Sequence, residues 1–212
     1  MVAKNNQEIS GSAQLFRSYA SGAAGDYLDV SICEAARATS AATTYFKHQK
    51  ITNKGKTGAF VDGGMGANNP AKLLLAEARV FSPDRGVSCI VSIGTGKKSI
   101  SDVKPPRFFQ RMLPSNLGVN AIPTIVDMAT DCEKVADELD RRFYREPDLY
   151  YRFNVNEGLG QIGMDDYKKL GHIKAWTIQY LKEFRVEERA KQASFFLHDD
   201  ASVNGSVAGL MV

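Results

Sequence analysis

The sequence has little of what marks several common protein classes. Its three cysteines, Cys33, Cys89 and Cys132, form no C-x-x-C pair and cannot all be bridged within one chain. Neither a disulfide framework nor a zinc site is therefore indicated, and a reducing interior compartment fits best. The three histidines, His48, His172 and His198, lie far apart without metal-ligand spacing, so a metal is not indicated. Charge of one sign is also scarce: 27 Lys and Arg against 24 Asp and Glu leave a formal +3. The charges interleave, as in Asp140-Arg141-Arg142, which describes a solvated surface and excludes nucleic acid as an expected partner. No apolar run approaches the length of a bilayer span, and Met1 to Gln7 carry no signal-peptide core. The expected location is the cytoplasm, either free or peripheral to a membrane.

What the chain does have is an ordinary globular balance, 43% hydrophobic and 24% charged over 212 residues, enough for one substantial core. Helical and extended patterns take turns along it, which predicts an α/β fold with a mainly parallel sheet. Residues 29–38 have a helical pattern, followed by the small residues 39–44, which let backbones pack closely. Ile51 to Gly55 reads as a polar turn. Val87 to Ile93 is a continuous apolar run of the kind that suits an interior strand. Ile122, Ile125, Val126, Ala129, Cys132, Val135, Ala136, Leu139 and Phe143 recur at three- and four-residue steps and define one stripe of a long helix. Tyr150 to Val155 alternates as a strand, and a last amphipathic helix is expected from about Asp165 to Arg189 with an interruption at Gly171. Beyond Gln192 the pattern fades. The expected organisation is one domain over residues 1–190 and a tail or linker over 191–212.

The most informative stretch is Gly58-Ala59-Phe60-Val61-Asp62-Gly63-Gly64, where an apolar run breaks into a glycine turn with one carboxylate at the break. Asn68-Asn69-Pro70 and then Ala71 to Ala78 come next, a helix signal with an Asn cap and proline at its first position. A plain Asp-Gly turn is the alternative. A hairpin would need a second alternating strand after Gly66, however, and the residues there are patterned as helix. Strand, turn and helix therefore present Asp62.

Other groupings carry two readings each. Arg37 either meets an anionic headgroup or ties down its helix end through a salt bridge, and the structural role is the more ordinary. Gly94-Thr95-Gly96-Lys97-Lys98-Ser99 glances toward a phosphate loop but has Val91 where the first glycine belongs and Lys98 where Ser or Thr should follow the lysine. A tight turn at a strand end is the simpler role. Lys104 to Leu113 mixes cations with Phe108 and Phe109, which either pack under a loop or dip into a lipid interface.

Taken in order, Glu34-Ala35-Ala36-Arg37-Ala38-Thr39-Ser40-Ala41-Ala42 with Tyr45-Phe46, Phe60-Val61-Asp62-Gly63-Gly64 with Asn68-Asn69-Pro70, Ser92-Ile93-Gly94-Thr95-Gly96, and Tyr151-Arg152-Phe153-Asn154-Val155 resemble the patatin-like phospholipases. These are serine acyl hydrolases with a Ser-Asp dyad. The resemblance implies a three-layer α/β sandwich of patatin/lysophospholipase type, a lipid or phospholipid ester as substrate and no metal or organic cofactor. It makes Asp62 the dyad carboxylate, with Gly63, Gly64 and Asn69 shaping its loop and Arg37, Gly94 and Gly96 in support. A serine hydroxyl is a poor nucleophile at its own pKa, and a carboxylate within hydrogen-bond reach takes its proton as it attacks.

One departure is decisive. No G-x-S-x-G elbow occurs in the 212 residues, nor an earlier glycine-rich loop for the oxyanion. Gly86-Val87-Ser88-Cys89-Ile90 keeps only the first glycine and the serine, and Gly64-Met65-Gly66-Ala67-Asn68-Asn69 lies beside the acid itself. A minor departure is Thr43, where the family commonly has proline. The expectation is the C-terminal half of the family domain with its N-terminal part missing, inactive alone and part of a larger protein. The alternative is a catalytically inactive remnant that serves as a regulatory or interaction module.

Overall fold

In the computed structural model the described residues are 1–5, 13–20, 29–42, 45–97, 121–160, 162–163, 166–198 and 205–206, with only the backbone described at 121–131 and 205–206. They divide into two compact units, one formed by Met1–Pro70 with Thr130–Glu133, the other by Ala71–Ala129 with Lys134–Val212.

The first unit is built on a four-stranded sheet. Strands β1 (Val2–Asn5), β2 (Ala13–Leu15), β3 (Gln49–Asn53) and β4 (Lys56–Asp62) stand in the order β2-β1-β4-β3. Helix α1 (Ile32–Thr39) lies between β2 and β3 in the chain, and the short helical turn α2 (Gly64–Ala67) comes directly after β4. The start of α1 is set by a capping box: the Ser31 hydroxyl accepts the Glu34 N–H at 3.2 Å, and the Glu34 carboxylate accepts the Ser31 N–H at 3.0 Å. The same serine contacts hold the Glu34 carboxyl below its ordinary value. Ala35 and Ala38 of α1 pack with Ala3, Phe16, Ile51 and Phe60, and the Phe16 and Phe60 rings meet edge to face at 5.4 Å between centroids.

Every pairing in this sheet is antiparallel, with Ala3 opposite Asp62 and Ile51 opposite Gly58. The expected mainly parallel sheet is therefore corrected here. Alternating helices and strands suggested parallel pairing, yet Gly58, Ala59, Phe60 and Val61 are buried in succession within an antiparallel ladder. The polar turn expected over Ile51 to Gly55 is also shorter than predicted. Gln49–Asn53 is a strand whose only core residue is Ile51, so its polar neighbours masked it. Only Lys54 and Gly55 turn, both with positive φ (49° and 77°), the backbone that matches the twist of a two-residue hairpin.

The second unit contains α3 (Ala71–Phe81), β5 (Gly86–Val87), β6 (Ile90–Ile93), α4 (Ala121–Arg142), β7 (Tyr150–Phe153), α5 (Leu170–Leu181), α6 (Phe184–His198) and β8 (Gly205–Ser206). Strands β6 and β7 pair in parallel, Ile90 with Tyr150 through Ile93 with Phe153, while β5 pairs antiparallel with β8. The apolar run from Val87 to Ile93 is thus two strands broken at Ser88-Cys89, and Ile93 is exposed.

The periodic stripe of α4 holds where its side chains are described: Ala136 and Leu139 are buried, and Leu139, with Phe143 just past the helix end, packs with Ala71, Leu75, Ile90, Leu149 and Tyr150. A second cluster joins Val155, Leu159 and Tyr180. The break in the last helical stretch falls at Lys182-Glu183 instead of Gly171, which sits in the first turn of α5 with open space around it. Helix α6 continues past Gln192 to His198, anchored by Ala193 at 4% exposure. One small buried residue leaves almost no trace in an apolar pattern. Among the described residues no helix is long and apolar enough to cross a membrane.

Candidate active site

Asp62 ends β4 and is half-buried. Its Oδ1 accepts the Gly64 N–H at 2.7 Å, a charge-assisted bond within a local turn. Among the described residues no ion pair holds it, and Oδ2 has no hydrogen-bond donor. A carboxylate fixed by one oxygen and open at the other is suited to take a proton from an approaching hydroxyl.

The backbone around it is clamped from α1. The Asp62 N–H donates to the Ala41 carbonyl at 3.1 Å and the Gly63 N–H to the Thr39 carbonyl at 3.4 Å. Ala41 is fully buried, and the small residues at 38–42 allow this approach. Gly63 is buried against the start of β1, so close to the Val2 carbonyl that a Cβ at this position would collide with it. Gly64 opens an irregular turn that includes Gly66 at φ 137°. Asn69 is 6% exposed and its Nδ2 donates to the Cys132 carbonyl at 3.3 Å, so it ties the segment before α3 to the chain at 132.

Arg37 takes the structural role. Its Nη2 donates to the Lys47 carbonyl at 2.8 Å and its guanidinium lies over the Phe46 ring at 5.2 Å, which fastens α1 to the loop before β3. The bond is to a carbonyl, where a salt bridge was expected.

Gly94 and Gly96 belong to the second unit. The Gly94 N–H donates to the Phe153 carbonyl and the Lys97 N–H to the Val155 carbonyl, both at 2.8 Å. The Gly96 N–H donates to Asn154 Oδ1 at 2.7 Å, and the Asn154 N–H in turn meets the Tyr180 hydroxyl at 3.1 Å. The turn is thus tied to the end of β7, as a tight strand-end turn requires. Lys98, Ser99 and the cation-aromatic stretch Lys104 to Leu113 lie outside the described residues, as does Thr43.

The structure brings Asp62, Gly63 and Gly64 together with Val2, Thr39 and Ala41, a second group the sequence did not single out as part of the site. Their contribution is mainly through backbone carbonyls, which no residue type signals. Asn154 was legible only as part of a strand motif; its carboxamide is what holds Gly96. His48, His172 and His198 are exposed on separate segments, and among the described residues no three His, Cys, Asp or Glu side chains gather as a metal site would require. Burial pushes the Cys89 thiol up, away from thiolate chemistry.

A family profile described as patatin-like phospholipase matches residues 8–75, which include α1, β3, β4 and the Asp62 turn. Over those residues the chain matches the patatin-like phospholipase family, and curated relatives support the same family. Calcium-independent phospholipase A2-gamma of Homo sapiens is 30% identical over 202 residues, covering 92% of this chain and 24% of the relative. The protein of the same name from Oryctolagus cuniculus is 32% identical over 154 residues, covering 70% of this chain and 18% of the relative. The 85/88 kDa calcium-independent phospholipase A2 of Rattus norvegicus is 28% identical over 178 residues, covering 75% of this chain and 21% of the relative. The chain thus spans about a quarter or less of the length of these relatives. These relatives are named as phospholipases.

Proposed function

We propose that this chain supplies the acid half of a serine-dependent lipid acyl hydrolase, with Asp62 as the proton acceptor of a Ser-Asp dyad. The observation that carries the reading is the Asp62 carboxylate at the end of β4, held at Oδ1 by the Gly64 N–H and, among the described residues, without a donor at Oδ2. The serine and the oxyanion donors come from polypeptide outside these 212 residues, which contain no G-x-S-x-G. The three-layer α/β sandwich expected from the resemblance belongs, on this reading, to the complete domain.

In the reaction, the serine Oγ attacks the carbonyl carbon of a glycerolipid or phospholipid ester while Asp62 Oδ2 takes its proton. The tetrahedral intermediate expels the alcohol, which receives that proton, and water then releases the acyl group by the same route. Asp62 needs no metal for this role. The substrate places the reaction at a membrane surface, and free Cys33, Cys89 and Cys132 accord with a cytoplasmic setting.

The test fuses the chain in frame to a segment bearing a glycine-rich loop and a G-x-S-x-G elbow, and measures fatty-acid release from phosphatidylcholine vesicles. Asp62→Asn should lower kcat by about a hundredfold or more, the usual worth of a positioned proton acceptor. The 212-residue chain alone should release nothing. Hydrolysis by that chain which survives Asp62→Asn would overturn the assignment. A folded fusion that binds vesicles but releases no fatty acid would instead favour the remnant that acts as a binding module.

A further inference from the structure

Thr39 is the last residue of α1 and reaches the Asp62 turn directly through its carbonyl and indirectly through Val2. Its carbonyl accepts the Gly63 N–H at 3.4 Å, and its hydroxyl donates to the Val2 carbonyl. The Val2 carbonyl is the same group that lies against Gly63 so closely that no side chain fits there. Val2 and Ala3 begin β1, and Ala3 stands opposite Asp62 in the ladder.

Three chain segments therefore meet at one glycine. The end of α1 grips it from one side, the start of β1 presses on it from another, and Asp62 precedes it. We infer that Thr39 is a positioning residue for the Asp62 carboxylate. Its hydroxyl binds the Val2 carbonyl, the Val2 carbonyl backs the Gly63 peptide, and the Gly63 peptide sets the direction of the Gly64 N–H that holds Asp62 Oδ1. That bond fixes Oδ1, and among the described residues Oδ2 has no donor. The inference rests on the reading of Asp62 as proton acceptor, but the chain of contacts is a matter of structure alone.

The alternative for Thr39 is a purely local one, in which the hydroxyl satisfies a carbonyl and has no further effect. The two differ in what happens when the hydroxyl is removed. Thr39→Val keeps the shape and deletes the donor. A local role predicts a general loss of stability, shared by all protected amides. A positioning role predicts that the Gly63 and Gly64 amides open selectively, while the β3–β4 ladder around Ile51 and Gly58 keeps its protection. Thr39→Ser retains the hydroxyl and should restore the original behaviour.

The experiment is amide hydrogen exchange by NMR on the intact chain, comparing Thr39, Thr39→Val and Thr39→Ser. The Gly64 amide of Thr39→Val should exchange roughly threefold to tenfold faster relative to the ladder amides, which is what one ordinary hydrogen bond is worth. Thr39→Ser should remain near the unsubstituted chain. If Thr39→Val does not fold, Thr39→Ala removes the same hydroxyl without new bulk and with better helix propensity at the end of α1. Uniform acceleration at every amide, or no rescue by Thr39→Ser, overturns the assignment. No turnover enters this measurement, so its failure leaves the Asp62 reading to its own test. In the fused hydrolase of that test, Thr39→Val should lower kcat with KM unchanged.

Discussion

Arg189 of α6 donates from Nη2 to the carbonyl of Tyr150 at 3.1 Å. The same guanidinium lies over the Tyr151 ring at 5.6 Å, so one side chain fastens the last helix to β7 through a hydrogen bond and a stacked face. Arg189→Ala should cost about 1–3 kcal/mol, the range for a charged hydrogen bond whose partner is left behind. Arg189→Lys should recover only part of it, because an ammonium cannot stack as a planar guanidinium does. Urea denaturation of the three proteins, with unchanged slope, would check the order.

Tyr151 is 1% exposed, and burial, with the Asp148 charge as a lesser cause, pushes its hydroxyl from an ordinary 10.0 up to about 12. The folded state thus keeps its proton while the unfolded chain loses it. Stability from this group is complete below pH 10 and falls as pH rises toward 12, a loss of roughly 3 kcal/mol across the window. Tyr151→Phe should remove that alkaline loss. Midpoints of urea unfolding at about pH 9, below the window, and about pH 11.5, well into it, should draw closer together in the variant; an unchanged gap would refute the account.

Gly63→Ala should be poorly tolerated, because its Cβ would collide with the backbone carbonyl of Val2, which cannot move like the end of a flexible side chain. A cost of about 1–3 kcal/mol is expected from forced packing. In the fused hydrolase the activity loss should exceed what the remaining folded fraction explains.

Leu139 is 1% exposed at the centre of the cluster around Phe143 and Tyr150. Leu139→Ala should cost about 2–5 kcal/mol from lost burial and the cavity left behind. Leu197→Ala, at 63% exposure on α6, should change stability by less than about 0.5 kcal/mol. Thermal denaturation of the pair separates core from surface.

Much of this molecule is legible in its residues, and the exceptions have causes. The strand, turn and helix around Asp62 are readable because Gly58 to Val61 are apolar in succession and Asn68-Asn69-Pro70 interrupts before α3. The long stripe through Ala136 and Leu139 is readable because α4 keeps one apolar face over many turns. Strand β3 is hidden because one apolar residue, Ile51, carries its burial. Pairing direction is hidden for a different reason: a buried antiparallel strand and a buried parallel strand share one composition. The clamp on Asp62 is made of the carbonyls of Thr39 and Ala41, and only the smallness of residues 38–42 hints that two backbones meet there.

The hairpin tip at Lys54-Gly55 governs more than its own bend. Side chains along an extended strand alternate between faces, so adding or deleting one residue at that tip would shift the pairing and turn the following strand over by one step. Seven positions downstream of Gly55 sits the carboxylate of Asp62, which would then be offered to the wrong side of the sheet. The presentation of the acid is thus fixed by loop length at the far end of its strand.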